Sequence, residues 1–338
     1  MATIPGRDIV VVAASAGGLE PLRAVMAGLP ADLPASVHVV LHVPATGGRA
    51  LPNILDRAGP LSAGPAMDGE PLRHGRVYVA PPDRHVLIAE GRTRLSRGPR
   101  QNGLRPAADP LFRSAALFGG PRTTAVVLSG TLDDGALGSA TVERQGGAVL
   151  VQDPAEAAYT SMPRAALAAT GQAMALRTRA LADAINRLAR QPVEVYQAEP
   201  PADLRSEVAG LLSGGPRTDP DTHAYSGLTC PECDGPLYEA NQDKVPSFDC
   251  LVGHRWSPQS LFEEQGTSVE RALWLAIRSL DERVRLTQGL ADAALRRGHT
   301  MSAARFAAAA EEAGLSADAI RKVVNEMTTT INEPVDPD

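Results

Sequence analysis

The sequence predicts an α/β protein: a doubly wound, mostly parallel sheet with an inserted hairpin, then a small cysteine-bearing module and a C-terminal α-helical hairpin. Three observations carry this. The runs at residues 9–12, 37–41, 125–128 and 148–151 are short, apolar, rich in β-branched residues and continuous rather than alternating. Such runs suit strands buried on both faces of a parallel sheet. Helix-patterned segments lie between them, the alternation expected of a doubly wound fold. Finally, all three cysteines fall between Cys230 and Cys250, well beyond the last of these strands.

Taken in order, the first strand leads into a helical pattern at 19–29, and the second closes on His42. Residues 77–79, 86–88 and 93–95 are more closely spaced, and the turn Glu90-Gly91-Arg92 predicts a hairpin inserted on the frame. A helix is expected at 111–117 before the third strand. The first domain is thus expected to span residues 1–190. Pro192, Pro200, Pro201, Pro216 and Pro220, with Gly214-Gly215, mark 191–226 as a Pro/Gly-rich linker holding a short helix near 204–212. Residues 227–257 form the cysteine module. In 258–331, Val269, Leu273, Ile277, Leu280 and Val284 step by three and four. So do Phe306, Ala310, Ala313, Ala317, Ile320, Val324, Met327 and Ile331, with Arg296-Arg297-Gly298 turning the chain between two helices.

Composition removes several classes. The 338 residues are 43% hydrophobic and 21% charged, as expected of a largely globular chain. A net charge of −6 argues against a nucleic-acid binder. No apolar run approaches the roughly 18 residues of a membrane span, so no membrane insertion is expected. The first residues have no basic stretch followed by an apolar one, so no signal peptide is expected and the location is expected to be cytoplasmic.

Three polar residues stand where buried strands end. Ser15 lies in Ala14-Ser15-Ala16-Gly17-Gly18, His42 in Leu41-His42-Val43-Pro44, and Asp133 and Asp134 in Ser129-Gly130-Thr131-Leu132-Asp133-Asp134-Gly135-Ala136. In open α/β sheets the ligand crevice lies beyond the carboxyl ends of the strands. A hydroxyl, an imidazole and a carboxylate meeting there form the set that acyl transfer needs. Each residue also has a plainer reading. Ser15 could cap the following helix or belong to a phosphate-binding loop, although Ala13 stands where the dinucleotide fingerprint requires glycine. His42 could be a packed, hydrogen-bonded histidine, and one of the two aspartates could be a helix cap.

These motifs, with Arg105-Pro106-Ala107-Ala108-Asp109-Pro110-Leu111-Phe112 and the stretch from Gln152-Asp153 to Met162-Pro163, resemble the catalytic domain of bacterial chemotaxis protein-glutamate methylesterases of the CheB type. The resemblance covers about residues 8–190. The order serine, histidine, aspartate differs from the serine, acid, histidine order of α/β-hydrolases. The resemblance implies Ser15 as nucleophile, His42 as general base and later acid, and Asp134 as the residue orienting the imidazole. It places an oxyanion donor at the Thr131 backbone N–H, with the Ala16 N–H as a second. The implied reaction is hydrolysis of glutamate γ-methyl esters on a chemoreceptor-like helical protein, releasing methanol, with no cofactor for catalysis. The sequence departs from the family at Ala13, Ala16 and Leu132-Asp133. Ser15 lies close to the start, so the family's receiver domain is expected to be absent and control to come from elsewhere. Two other readings stand: a glutamine deamidase or small-ester esterase with the same triad, and a non-catalytic signalling scaffold.

Two residues separate Cys230 from Cys233, and three separate Cys250 from His254. Two such pairs suit tetrahedral Zn²⁺, and four protein ligands leave no open position, so the expectation is a structural Cys3His zinc ribbon. His223 is the weaker alternative ligand. The module carries two basic against five acidic residues over 223–257, which disfavours nucleic acid. A signalling partner or self-association through the tail is expected instead. On this reading the tail is a separate unit, and removing zinc should unfold it while sparing the esterase.

Overall fold

The computed structural model describes residues 2–4, 6–42, 50–195, 199–213, 223–240 and 246–331. Val43, Pro44, Gly214, Gly215, Pro216 and Pro220 of the sequence motifs lie outside the described residues. The chain divides into two compact units, Met1–Leu261 and Phe262–Asp338.

In the first unit the elements follow as β1 (Ala2–Ile4), β2 (Ile9–Ala14), α1 (Leu19–Gly28), β3 (Ser36–Leu41), α2 (Leu51–Asp56), β4 (Ser62–Pro65) and β5 (Arg76–Val79). Next come β6 (His85–Ala89), β7 (Arg92–Ser96), α3 (Ala108–Gly119), β8 (Thr123–Val127), α4 (Ala136–Arg144), β9 (Ala148–Gln152), α5 (Ser161–Ala169), β10 (Met174–Leu176), α6 (Thr178–Arg190) and β11 (Val193–Val195). Seven strands form one parallel sheet in the order β10-β9-β8-β2-β3-β5-β4. The four apolar runs are its central strands. All six residues of β2 are buried, because both faces are covered. Val10, Val12 and Ala14 face Leu22 and Val25 of α1 and Leu181 and Ile185 of α6. Ile9, Val11 and Ala13 face Leu111, Phe112 and Ala115 of α3 with Val142 of α4. This is the two-residue period of a strand with a core on either side. From β2 the chain winds to β3 and outward, then returns to add β8, β9 and β10 on the other flank. The winding therefore reverses at β2, which is where such sheets open a crevice.

Two expectations change. Residues 77–79 do not join the inserted hairpin: β5 lies in the main sheet beside β3, and the hairpin is β6 and β7 alone. The stretch read as linker is docked: the short helix expected within it, α7 (Ala202–Ser213), buries Leu204, Val208 and Leu211 and packs on α3 and β7. Four short strands follow, β12 (Tyr225–Thr229), β13 (Pro236–Glu239), β14 (Phe248–Cys250) and β15 (Arg255–Trp256), forming an antiparallel sheet. This cysteine module belongs to the first unit rather than standing apart.

Helix α8 (Pro258–Arg296) begins in the first unit and runs into the second, where α9 (Thr300–Ile331) follows the turn at Gly298, φ 77°. Ile277, Ala291 and Ala294 of α8 and Ala303, Ala310, Ala313, Ala317 and Val324 of α9 are buried. Arg321 and Asp281 pair across the two helices at 2.6 Å. Val269, placed by its spacing on the apolar stripe, is exposed, as are Trp274, Leu275, Leu286 and Leu315. Among the described residues no helix is long and apolar enough to cross a membrane.

Candidate active site

Strand register brings the predicted residues to one edge. Ala14 pairs with Leu41 and Ala13 with Val127, so residue 15, residue 42 and the chain after β8 emerge side by side. The Ser15 amide donates to Ser129 O at 2.9 Å, and the His42 amide donates to Ala14 O at 3.0 Å. Gly18 stands at the cap position of α1 and no side chain caps the helix, so the capping reading of Ser15 does not hold. Ser129 braces the turn from the neighbouring strand. Its hydroxyl donates to Ala16 O at 2.9 Å and accepts the Tyr159 amide at 2.9 Å, while its own amide donates to Gln152 Oε1 at 2.8 Å. Gly130 follows because nothing larger fits: a Cβ there would lie 2.0 Å from Met162 Sδ and 2.8 Å from Ser15 Cβ.

His42 Nε2 lies 2.7 Å from Asp134 Oδ2, and the carboxylate is buried. Asp134 Oδ2 also accepts the Ala108 amide at 2.6 Å, and Oδ1 the Asp109 amide at 3.2 Å, so the first turn of α3 holds it. Burial raises the Asp134 pKa, but the hydrogen bond and charge of His42 and these two amides outweigh it and hold the carboxyl below its usual range. His38, within β3, makes the contrast. It is buried, stacks on Tyr78 at 4.8 Å between ring centroids, and is pushed down to about 3 by desolvation. Burial favours its neutral form, whereas His42 faces a buried carboxylate.

Neither aspartate of the pair caps α4. The cap comes from Asp109 on α3, whose Oδ1 accepts the Gly135 amide at 3.1 Å and the Gly138 amide at 2.7 Å. Burial, and then the charge of Asp134, raise Asp109 to about 7. Asp133 instead turns to the C-terminal module: its Oδ1 accepts the hydroxyls of Ser257 at 2.7 Å and Ser260 at 2.9 Å. Among the described residues, the backbone N–H groups of Ala16 and Thr131 donate to no acceptor. Thr131 is followed by Leu132 in the left-handed region, φ 59°.

Cys230, Cys233, Cys250 and His254 converge, with all four ligand atoms within 4.8 Å of one another. Cys230 Sγ lies 3.7 Å and Cys250 Sγ 3.5 Å from His254 Nδ1, and Cys233 Sγ lies 3.6 Å from Cys250 Sγ. Tetrahedral ligands about 2.3 Å from a shared Zn²⁺ would be about 3.8 Å apart, whereas a disulfide would need about 2.05 Å. The donor set therefore fits a tetrahedral metal ion, and His223 is not part of it. The Trp256 indole N–H donates to Cys230 Sγ at 3.4 Å.

The module is joined to the α/β domain by contacts that no motif announced. The Asn102 amide donates to Arg255 O at 2.8 Å, and the Ser257 amide donates to Asn102 Oδ1 at 2.8 Å. Gln101 Nε2 donates to Gly253 O at 3.3 Å. The Arg255 guanidinium, buried, pairs with Asp249 at 2.5 Å and with Glu207 of α7, which also pairs with Arg113 of α3 at 2.5 Å. Gln101 Oε1 accepts from Arg113 at 2.7 Å.

The CheB methylesterase profile matches residues 10–185, ending before the cysteine module. A protein-glutamate methylesterase/protein-glutamine glutaminase of Anaeromyxobacter dehalogenans is 42% identical over 160 residues, 47% of this chain and 47% of that protein. One from Symbiobacterium thermophilum is 38% identical over 182 residues, 54% of this chain and 50% of its own length. The chain spans about half the length of the curated relatives it matches. The crystal structure of the Thermotoga maritima CheB methylesterase catalytic domain superposes over 55% of this chain and 100% of that one, with a TM-score of 0.51 and 29% identity. The sheet that aligns Ser15, His42 and Asp134 is thus the matched part, and the chain belongs to the CheB methylesterase family.

Proposed function

We propose that this chain is a serine esterase that removes methyl groups from glutamate γ-methyl esters of a chemoreceptor-like helical protein. The observation that carries the reading is the convergence of Ser15 and His42 at adjacent strand ends, with His42 Nε2 2.7 Å from a buried carboxylate. With Nε2 engaged by Asp134, Nδ1 is the ring nitrogen left to take the serine proton. Ser15 Oγ attacks the ester carbonyl carbon, the carbonyl electron pair moves onto oxygen, and the hydroxyl proton passes to His42. Asp134 stabilises the imidazolium that forms. The N–H groups of Ala16 and Thr131 receive the oxyanion, and loss of one such donor costs about 10²–10³ in rate. His42 then protonates the departing methoxide, methanol leaves, and water activated by His42 hydrolyses the acyl-serine.

The relatives' names join this activity to protein-glutamine glutaminase. The same acyl-enzyme serves a glutamine side chain with ammonia as leaving group, so deamidation is the second reading. Cys230, Cys233, Cys250 and His254 hold a structural Zn²⁺ in this proposal, with all four positions filled by protein and none open to substrate. The helices α8 and α9, with Trp274, Leu275 and Leu286 exposed, serve a signalling partner or a second copy. The whole acts in the cytoplasm.

The test is methanol release from methylated receptor signalling segments, with Ser15→Ala as the blank. Serine-dependent methanol is the expected result. Ammonia from the unmethylated glutamine form would instead favour the deamidase, and neither product from a folded protein would overturn both. Metal analysis checks the zinc reading: about one Zn²⁺ per chain is expected, lost in Cys250→Ser.

A further inference from the structure

The catalytic loop between Ser129 and Gly135 is held at two ends by different parts of the chain. At its start, the Gly130 amide donates to Tyr159 O at 3.1 Å and Gly130 O accepts the Met162 amide at 3.0 Å. At its end, Asp133 is gripped by Ser257 and Ser260, which lie 124 and 127 residues further along the sequence. Between these anchors stands Leu132 with φ 59°, a conformation that a leucine keeps only where its surroundings over-determine it. Thr131 N–H precedes that strained residue and Asp134 follows the anchored one. Any relaxation of Leu132 therefore moves the oxyanion donor and the histidine's carboxylate relative to Ser15.

The serines are in turn placed by the cysteine–histidine hairpin. His254 is three residues before Ser257. Between them, Arg255 O accepts the Asn102 amide at 2.8 Å, and Trp256 is buried against Cys230 Sγ. The Ser257 amide donates to Asn102 Oδ1, and the Ser257 hydroxyl also accepts the Ser260 amide at 3.1 Å, which fixes both hydroxyls at the first turn of α8. On the far side of Asp134, α3 is tied to the same module through Arg113, Glu207 and Arg255.

We propose that Asp133 is a positioning residue through which the C-terminal module holds the catalytic loop in its reactive shape, so that the cysteine–histidine site supports catalysis although it touches no substrate. This rests on the serine-esterase reading given above. The expectation that the tail can unfold without cost to the esterase gives way to the opposite one.

The experiment compares the full-length chain with Ser257→Ala/Ser260→Ala and with Ser257→Thr/Ser260→Thr. Four quantities are measured: kcat and KM for methyl-ester hydrolysis, the rate of Ser15 labelling by a fluorophosphonate, and the thermal midpoint. Truncating both hydroxyls is expected to lower kcat and the labelling rate together by about 10–100-fold with KM little changed, because a misplacement near 1 Å has that effect on a reacting geometry. The threonine pair, which keeps both hydroxyls, is expected to recover most of the loss. Stripping the metal with a chelator, followed by a dye that reports its release, is expected to slow Ser15 labelling in step with release. If the wild type hydrolyses the ester and the alanine pair keeps the wild-type kcat and labelling rate, this proposal is overturned while the esterase stands. So too if metal leaves with labelling unchanged. If the wild type neither labels at Ser15 nor releases methanol, it is the esterase reading that fails.

Discussion

Gly130→Ala separates the geometry of the nucleophile from the stability of the fold. The added methyl would meet two groups: Met162 Sδ at 2.0 Å and Ser15 Cβ at 2.8 Å. Carbon pairs settle at about 3.5–4.0 Å, so both contacts must open. The methionine is a flexible chain that can swing away. Ser15 Cβ cannot, because its residue follows a fully buried strand and its amide is fixed to Ser129 O at 2.9 Å. Either Ser15 or the loop must therefore retreat by roughly 1 Å, which costs about 10²-fold in kcat when reacting atoms are displaced. Overpacking alone should destabilise by about 1–3 kcal/mol. Adding Met162→Ala to this variant makes room for the methyl on the sulfur side only. The double variant is expected to regain part of the thermal midpoint while kcat stays low. The assay is steady-state methanol release alongside a melting curve. A Gly130→Ala enzyme with wild-type kcat would refute the argument, and so would recovery of kcat in the double variant, since the Ser15 contact would then not be the cause.

Asp134→Asn should lower kcat by about 10⁴ through loss of the carboxylate that orients and stabilises the imidazole; steady-state rates near the wild type's would remove Asp134 from the mechanism. Asp109 tests the buried charge behind it. Its pKa rises from 3.8 to about 7 on folding. The folded state thus keeps a proton that the unfolded chain gives up, and stability from this group is present below pH 3.8 and lost as pH rises towards 7. Asp109→Asn keeps an oxygen for the Gly135 and Gly138 amides but does not titrate. The stability difference in favour of the variant should therefore grow between pH 4 and 7, by an amount on the order of 4 kcal/mol, and level off above. Denaturant unfolding at several pH values measures it, and a difference independent of pH would contradict the account. Arg255→Met should destabilise by about 3–5 kcal/mol, because Asp249 is left buried without its partner while Glu207 keeps Arg113; a loss under 1 kcal/mol in the same unfolding assay would mean that Asp249 is not left as an unpaired buried charge.

What the sequence made legible follows from how locally each feature is encoded. The central strands were readable because a strand buried on both faces has no polar positions to interrupt it, as in the six residues of β2. The meeting of Ser15, His42 and the Asp133-Asp134 turn at one sheet edge was readable because buried runs end there, while the choice of Asp134 over Asp133 came from the family resemblance. The β5 strand was misgrouped because its neighbours in sequence, β6 and β7, are not its neighbours in space; it pairs with β3 instead. Helix α7 was readable near 204–212, but the surrounding prolines and glycines made it read as a helix within a linker, and nothing local showed that Leu204, Val208 and Leu211 are buried. The cap on α4 was sought in Asp133 or Asp134 because caps are usually adjacent in sequence, whereas Asp109 supplies it from another helix. Nothing local marks the pairing of Asp133 with Ser257 or of Arg113 with Glu207. Only the folded arrangement creates those contacts.

The network around Arg255 explains how the module is held in one register. Arg113, Arg255, Glu207 and Asp249 are all buried and balance in charge. Taking such groups out of water costs about as much as their attraction returns, so the network contributes little net affinity. Affinity comes from apolar burial instead. Trp256 is 1% exposed, and its ring lies over Gly103, where an added Cβ would meet it at 3.4 Å. Apolar contact alone tolerates sliding. A charged pair does not, because a shift of one residue would leave Arg255 facing no carboxylate and Glu207 and Asp249 incompletely paired in the interior. The proposed positioning of the 129–135 loop depends on that register, since Ser257 and Ser260 both reach a single oxygen of Asp133. Between the metal-type ligand His254 and the serine that grips the loop there are only two residues, Arg255 and Trp256. The first fixes where the module sits and the second supplies the energy that keeps it there, and this is the route by which the proposal has the order of the cysteine–histidine site reach the edge of the candidate active site.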